Sequence, residues 1–97
     1  MYQAILLLLA NQDISEAAMW YNSKRDGLGF LFIEQVQKHI SFIQSNPEAI
    51  AIRYNSTRTI VLKTFPFLIH YTIDKENSLI VISAVLHTSR NPKEWKR

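Results

Sequence analysis

Three apolar runs, "TIVLKTF" (59–65), "FLIHYTID" (67–74) and "SLIVISAVLHT" (78–88), follow one another with almost nothing between them. Each has the β-branched and aromatic content of a strand. "TFP" (64–66) and "DKENS" (74–78) are the only connections, and both are too short to carry a crossover. Strands joined this closely must be antiparallel neighbours. This constraint fixes the second half of the chain as a sheet. "AIRY" (51–54) either begins a further strand or extends the next one past a bend at Asn55-Ser56.

The first half reads differently. Residues 2–9 predict a first strand, apolar on both faces and therefore buried. Asp13 then offers an N-cap with Glu16 as a capping-box partner, and Asn11 is a competing cap. Ile14, Ala17, Ala18 and Tyr21 recur at helical spacing, predicting a helix to about Lys24 that Asp26-Gly27 breaks. A second helix is predicted over Leu28–Ser45. Its core stripe is Leu28, Phe32, Val36, Ile40 and Ile43, and Asn46-Pro47 ends it. The expected architecture is α+β in the order β-α-α-β-β-β, a two-helix hairpin packed on one face of a mostly antiparallel sheet. With 97 residues the chain forms a single domain, 1–97.

Strand alternation assigns faces. Phe67, Ile69, Tyr71 and Ile73 share one side, and Leu68, His70 and Thr72 the other. Ile80, Ile82, Ala84 and Leu86 are expected on one side of the last strand, with Val81, Ser83, Val85 and His87 on the other. The half-polar face would then gather His70, Thr72, Ser83 and His87.

Composition removes several classes of chemistry. There is no cysteine, so no disulfide scaffold, thiolate metal site or thiol nucleophile is available. His39, His70 and His87 have no metal-ligand spacing, and there is no glycine-rich phosphate loop, so neither metal nor cofactor is expected. "AILLLLA" (4–10) falls short of the roughly 20 residues of a membrane span and lacks the flanks of a signal peptide. Residues 1–52 carry three basic and five acidic side chains, residues 53–97 eight basic and three acidic. The basic half suits an acidic or polyanionic partner.

Two stretches exceed what a core needs. "FLFI" (30–33) puts four large apolar residues in a row on a helix whose buried stripe covers about a third of its circumference. Met19 and Trp20 add apolar surface to the first helix. Together they predict a hydrophobic groove for an amphipathic partner segment. The other is "VLHTSRNPKEWKR" (85–97). Pro92 ends a strand, Trp95 folds back on the sheet edge, and Arg90, Lys93, Lys96 and Arg97 stay in water. His87 and Arg90 at a strand end make an anion or phosphodiester site.

The order β-α-α-β-β-β, with "DISEAAMWYNSKRDGLGFLF" (13–32), "SNP" (45–47), "RTIVLKTFPFLIHYTI" (58–73) and "ISAVLHTSRNPKEW" (82–95), resembles the RelE/ParE superfamily of bacterial toxins. The likeness runs over nearly the whole chain. It implies a cytoplasmic toxin of a type II toxin–antitoxin pair, of the kind also called plasmid stabilisation proteins, held inactive by a cognate antitoxin. The antitoxin's flexible segment would cover the helical hairpin, which gives Met19, Trp20, Phe30 and Ile33 a role. Within the superfamily the pattern is more similar to the ParE-like branch, whose members inhibit DNA gyrase by binding. That implies target contact by His87, Arg90 and Trp95. The RelE-like alternative is a ribosome-dependent mRNA endonuclease, with His87 as acid or base and Arg58, Lys63 and Arg90 as phosphate clamps. A non-toxic interaction module of the same fold is the third possibility.

Overall fold

The computed structural model describes residues 1–95. Strand β1 (Gln3–Leu6) leads into helices α1 (Leu8–Lys24) and α2 (Leu28–Ser45). Strands β2 (Ile52–Tyr54), β3 (Thr57–Val61), β4 (Phe67–Asp74) and β5 (Leu79–His87) follow, and a 3-10 turn over Pro92–Glu94 comes last. The sheet order is β1-β5-β4-β3-β2. β1 runs parallel to β5, while β2 to β5 are antiparallel in sequence. The architecture is the expected one. "AIRY" supplies a strand of its own, and the strand expected over 59–65 starts two residues earlier and stops at Val61.

The first expectation to fail is the β1–α1 boundary. α1 begins at Leu8, five residues before Asp13, and β1 lies at the sheet edge with Ile5 exposed. Leucine suits a helix better than a strand, and a run of four leucines carries no boundary signal. The Asp13–Glu16 capping box does not form, since Asp13 lies inside the helix. Its carboxylate accepts a hydrogen bond from the Val85 N–H at 3.0 Å. β1 pairs with β5 only as far as Leu6 opposite Ile82, so Val85, paired with Ile69 of β4 on its other side, has no strand on the β1 side. Asp13 satisfies a buried backbone donor there.

The faces of β5 also differ from the alternation expected of an unbroken strand. The β4–β5 register pairs His70 with Ala84 but Tyr71 with Ile82, which leaves Ser83 as the extra residue of a bulge. A bulge moves every later side chain to the other face. Val85 therefore joins Ile80 and Ile82 in the core beneath the helices, while Ala84 and Leu86 pack on the outer face with Trp95 and Leu68. His87 stands opposite Phe67 on the helix side, and His70 is buried on the outer side. The expected gathering of His70, Thr72, Ser83 and His87 is split between the faces.

The core sits between the helices and the β4–β5 ladder. Phe32, Val36, Ile40 and Ile43 of α2 are buried against Ile69, Tyr71, Ile80 and Ile82, and Ala17 and Ala18 bring α1 in. Gly27, at φ 85°, makes the left-handed turn between the helices. Gly29 serves the packing of the helices instead, because a Cβ there would lie 2.4 Å from the Ala18 carbonyl oxygen. The neighbour is backbone and cannot swing aside. Gly29→Ala is expected to lower stability by about 1–3 kcal/mol, read as a shifted urea midpoint with unchanged slope.

Tyr71 is buried, and its hydroxyl donates to the Pro47 carbonyl at 2.8 Å, tying the loop after α2 to the sheet. Burial raises its pKa above the ordinary 10.0, against a smaller opposing pull from the Arg58 charge. The fold thus favours the protonated phenol. The stability this brings is complete below pH 10.0 and is lost as pH rises through the higher folded value. Tyr71→Phe should be less stable by about 1 kcal/mol at neutral pH. Its alkaline limb should be shallower than the parent's, which a pH series of thermal unfolding would check.

Candidate functional site

Two surfaces carry the residues singled out in the sequence. One is a groove between α1 and α2. Gly29, where the helix backbones approach, lies in its lining. The groove is about 440 Å³ and is lined by Ala18, Met19, Asn22, Ser23, Gly29, Phe30 and Ile33. Met19 is 72% and Phe30 79% exposed, so neither serves the core. Three of the four expected partner-binding residues therefore meet. Trp20 does not line the groove. Its ring lies edge-on to Tyr21 and carries the Lys24 ammonium 5.1 Å from its centre, on the neighbouring side of α1. Ile33 also borders a second hollow that continues between α2 and β1, past Ile14 and Gln37 to Gln44. Sequence reasoning missed Ala18 and Gly29, although small residues on facing helices are the available sign of close approach.

The other surface is the end of β5. His87 and Arg90 line one shallow hollow with Asp13, Glu16 and Phe67. The His87 ring is 5.2 Å from that of Phe67, and its Nδ1 accepts the Ser89 N–H at 3.0 Å. In the neutral ring this places the proton on Nε2. The Arg90 N–H donates to the His87 carbonyl at 3.0 Å, so the guanidinium is carried on a closed turn. Asp13 and Glu16 were expected only as caps. The α1 start six residues before the sequence's apparent helix face hid their position beside His87.

Trp95 lies elsewhere. It is 7% exposed and packs on the outer face of the sheet, reaching the edge strand β2. Its ring centre is 4.9 Å from His70 and 5.6 Å from Tyr54, and the Arg53 guanidinium sits 5.2 Å above it. Lys93 is exposed as expected, and Lys96 and Arg97 lie outside the described residues. β5 stops at His87, and Pro92 opens the 3-10 turn instead of ending the strand.

Of the remaining cations, Arg58 donates to the Ile50 carbonyl at 2.6 Å and stands opposite Tyr71, under the loop after α2. Tyr71 is four residues along β4 from Phe67, the partner of His87, a separation of about 13 Å. Lys63 is exposed in the β3–β4 connection, at the same end as His87 but not lining its hollow. Among the described residues no cluster of three His, Asp or Glu side chains is placed to hold a metal. No helix among them is long and apolar enough to cross a membrane.

The architecture has solved counterparts. The structure of a chromosomal ParDE TA system from P. aeruginosa superposes with a TM-score of 0.79 at 15% identity, over 92% of this chain and 98% of that one. The intact E. coli RelBE toxin-antitoxin complex gives 0.71 at 18% identity, over 93% and 100%. The RelBE2 toxin-antitoxin complex from Mycobacterium tuberculosis gives 0.63 at 16%, over 89% and 96%. At these identities the likeness shows the fold. No curated protein matches the chain significantly. The family comparison is more specific, since residues 5–92 match the model for the ParE toxin of the type II toxin-antitoxin system parDE. That match takes in the end of β1, both helices and strands β2 to β5, and on it the chain belongs to the ParE toxin family.

Proposed function

We propose that this chain is a growth-inhibiting toxin that acts in the cytoplasm by binding DNA gyrase, and that its antitoxin seats an amphipathic segment in the Met19–Phe30–Ile33 groove. The observation that carries the first part is where the cations stand. Arg58 is spent on the Ile50 carbonyl beneath a loop, and Arg90 is the exposed cation beside His87. Cleaving a phosphodiester without metal needs an acid, a base and charge clamps converging within a few ångströms of one phosphate. Binding needs only a surface of complementary charge and shape, which the β5 end offers with His87, Arg90 and the turn that Trp95 holds.

One observation favours the RelE-like alternative, a ribosome-dependent mRNA endonuclease. His87 and Arg90 line the same hollow, as an acid and a phosphate clamp would. In that case Lys63 would join them from the adjacent connection.

The groove reading rests on apolar lining and exposure. A helix laid there would bury Met19 and Phe30, which a lone chain leaves in water at a cost of about 25 cal/mol per Å². Repressed expression of the chain alone, then induction, tests the whole reading. Growth arrest is expected. Unaffected growth would point to a non-toxic interaction module of the same fold.

A further inference from the structure

We infer that Arg53 and Tyr54 are positioning residues for the β5 end: with His70 they build the seat that holds Trp95, and through Trp95 they set the turn that carries Arg90. The inference rests on the reading above, that this end of the chain contacts the target.

The turn is rigid within itself. Arg90 N–H donates to the His87 carbonyl, Lys93 N–H to Asn91 Oδ1 at 3.0 Å, and Asn91 N–H to Glu94 Oε1 at 3.1 Å. Trp95 N–H donates to the Pro92 carbonyl at 3.1 Å. Two closed turns, His87–Arg90 and Asn91–Trp95, thus follow one another directly, and together they make one short unit. Two anchors tie that unit to the sheet. At its start Thr88 N–H donates to the Pro66 carbonyl at 2.8 Å. At its far end Trp95 is buried on the outer face. Arg90 stands between the anchors, and releasing the second lets it swing about the first.

The seat comes from a part of the fold with little other purpose. β2 is three residues long, lies at the sheet edge, and exposes both Ile52 and Arg53. Yet its Arg53 guanidinium lies over one face of Trp95 and its Tyr54 ring packs beside it. The Tyr54 hydroxyl is hydrogen-bonded to His70 Nδ1 at 3.0 Å, which fixes both rings beneath the indole. The packing is incomplete. A hollow of about 300 Å³ remains among Arg53, Tyr54, Asn55, Pro92 and Trp95. The buried Trp95 Nε1 has no hydrogen-bond partner among the described residues. A seat so built holds by a small margin, because one side of it is open to water and an unpaired buried donor opposes closure. Its closed fraction therefore depends on the two β2 residues.

The test compares the purified parent chain with Tyr54→Leu, which removes ring and hydroxyl, and Tyr54→Phe, which keeps the ring. A turn closed one-tenth of the time lowers apparent affinity about tenfold. Tyr54→Leu should lose amide-exchange protection at Arg90 and Trp95 and inhibit gyrase supercoiling about tenfold less well. Amides of Ile69 and Ile82 should stay protected, and Tyr54→Phe should restore both readouts. Should Tyr54→Leu fail to fold, Arg53→Gln must show the same direction of change with a smaller amplitude. Unchanged protection at Arg90 and Trp95, or lost protection with full inhibition, would overturn the inference. If the parent itself leaves supercoiling intact, the gyrase reading falls. Growth inhibition by the same variants then decides, with loss in the leucine variant and rescue in the phenylalanine variant supporting the inference and equal toxicity overturning it.

Discussion

Phe30→Asp should yield a chain that folds and arrests growth but escapes its antitoxin. The side chain is 79% exposed, so a carboxylate there meets water in the free chain and costs the fold little. In the proposed complex the same carboxylate would be buried in an apolar groove without a partner. Losing an interface anchor costs about 2–4 kcal/mol, and the stranded charge adds to it. About 4 kcal/mol is a thousandfold in affinity. Co-expression with the antitoxin would read the effect directly: the parent pair grows and the variant pair does not. A variant pair that grows like the parent would remove Phe30 from the interface and move the partner's seat away from this groove.

Phe32→Ala, two residues along the same helix, should do the opposite and break the fold instead of the partnership. Phe32 is fully buried. Its ring centre lies 5.5 Å from Tyr21, 5.3 Å from Phe65 and 5.0 Å from Phe67. It is the point where α1, α2 and the β3–β4 connection meet. Truncating a buried phenylalanine costs about 3–5 kcal/mol, a large share of the roughly 5–15 kcal/mol of a native domain. With a urea slope of about 1–3 kcal/mol per molar, the midpoint should fall by about 2 M. The loss should reach the β5 end as well, since Phe67 packs on His87. A fall of less than about 1 kcal/mol would mean that the aromatic cluster collapses around the gap.

These neighbours, Phe30 and Phe32, also show what was legible beforehand. Helical periodicity assigned Phe32 to the core and left Phe30 surplus to it, and both positions are as that reading places them. The antiparallel β3–β4–β5 meander was equally plain, because short connections permit little else. The faces of β5 were not. Alternation is reliable only while the register runs unbroken, and nothing about Ser83 in the sequence announces a bulge. That one residue sent His87 to the helix side and Ala84 and Leu86 to the outer side, undoing the expected polar cluster.

The start of α1 was hidden for a different reason. Residues 5–9 are uniformly apolar, and periodicity needs contrast to be seen. As a result Asp13 looks like a helix cap, when its carboxylate serves a strand edge 72 residues away in sequence. Long-range satisfaction of a backbone donor has no local signature. The Asn91–Glu94 capping box, which does form, is a local signal that sequence reasoning missed. Trp95 itself was foreseen as a latch, but its seat on β2 depends on how a three-residue edge strand folds against the outer face. No spacing in the sequence encodes that meeting of Arg53, Tyr54 and His70.

The central claim is that the chain inhibits by binding gyrase and does not cut RNA. Supercoiling of relaxed plasmid by purified gyrase, titrated with the purified chain beside translation on programmed ribosomes, tests it most directly. The account predicts blocked supercoiling with the messenger intact. Unaffected gyrase with messenger cleaved at defined codon positions would contradict it and make His87 and Arg90 the centre of a nuclease.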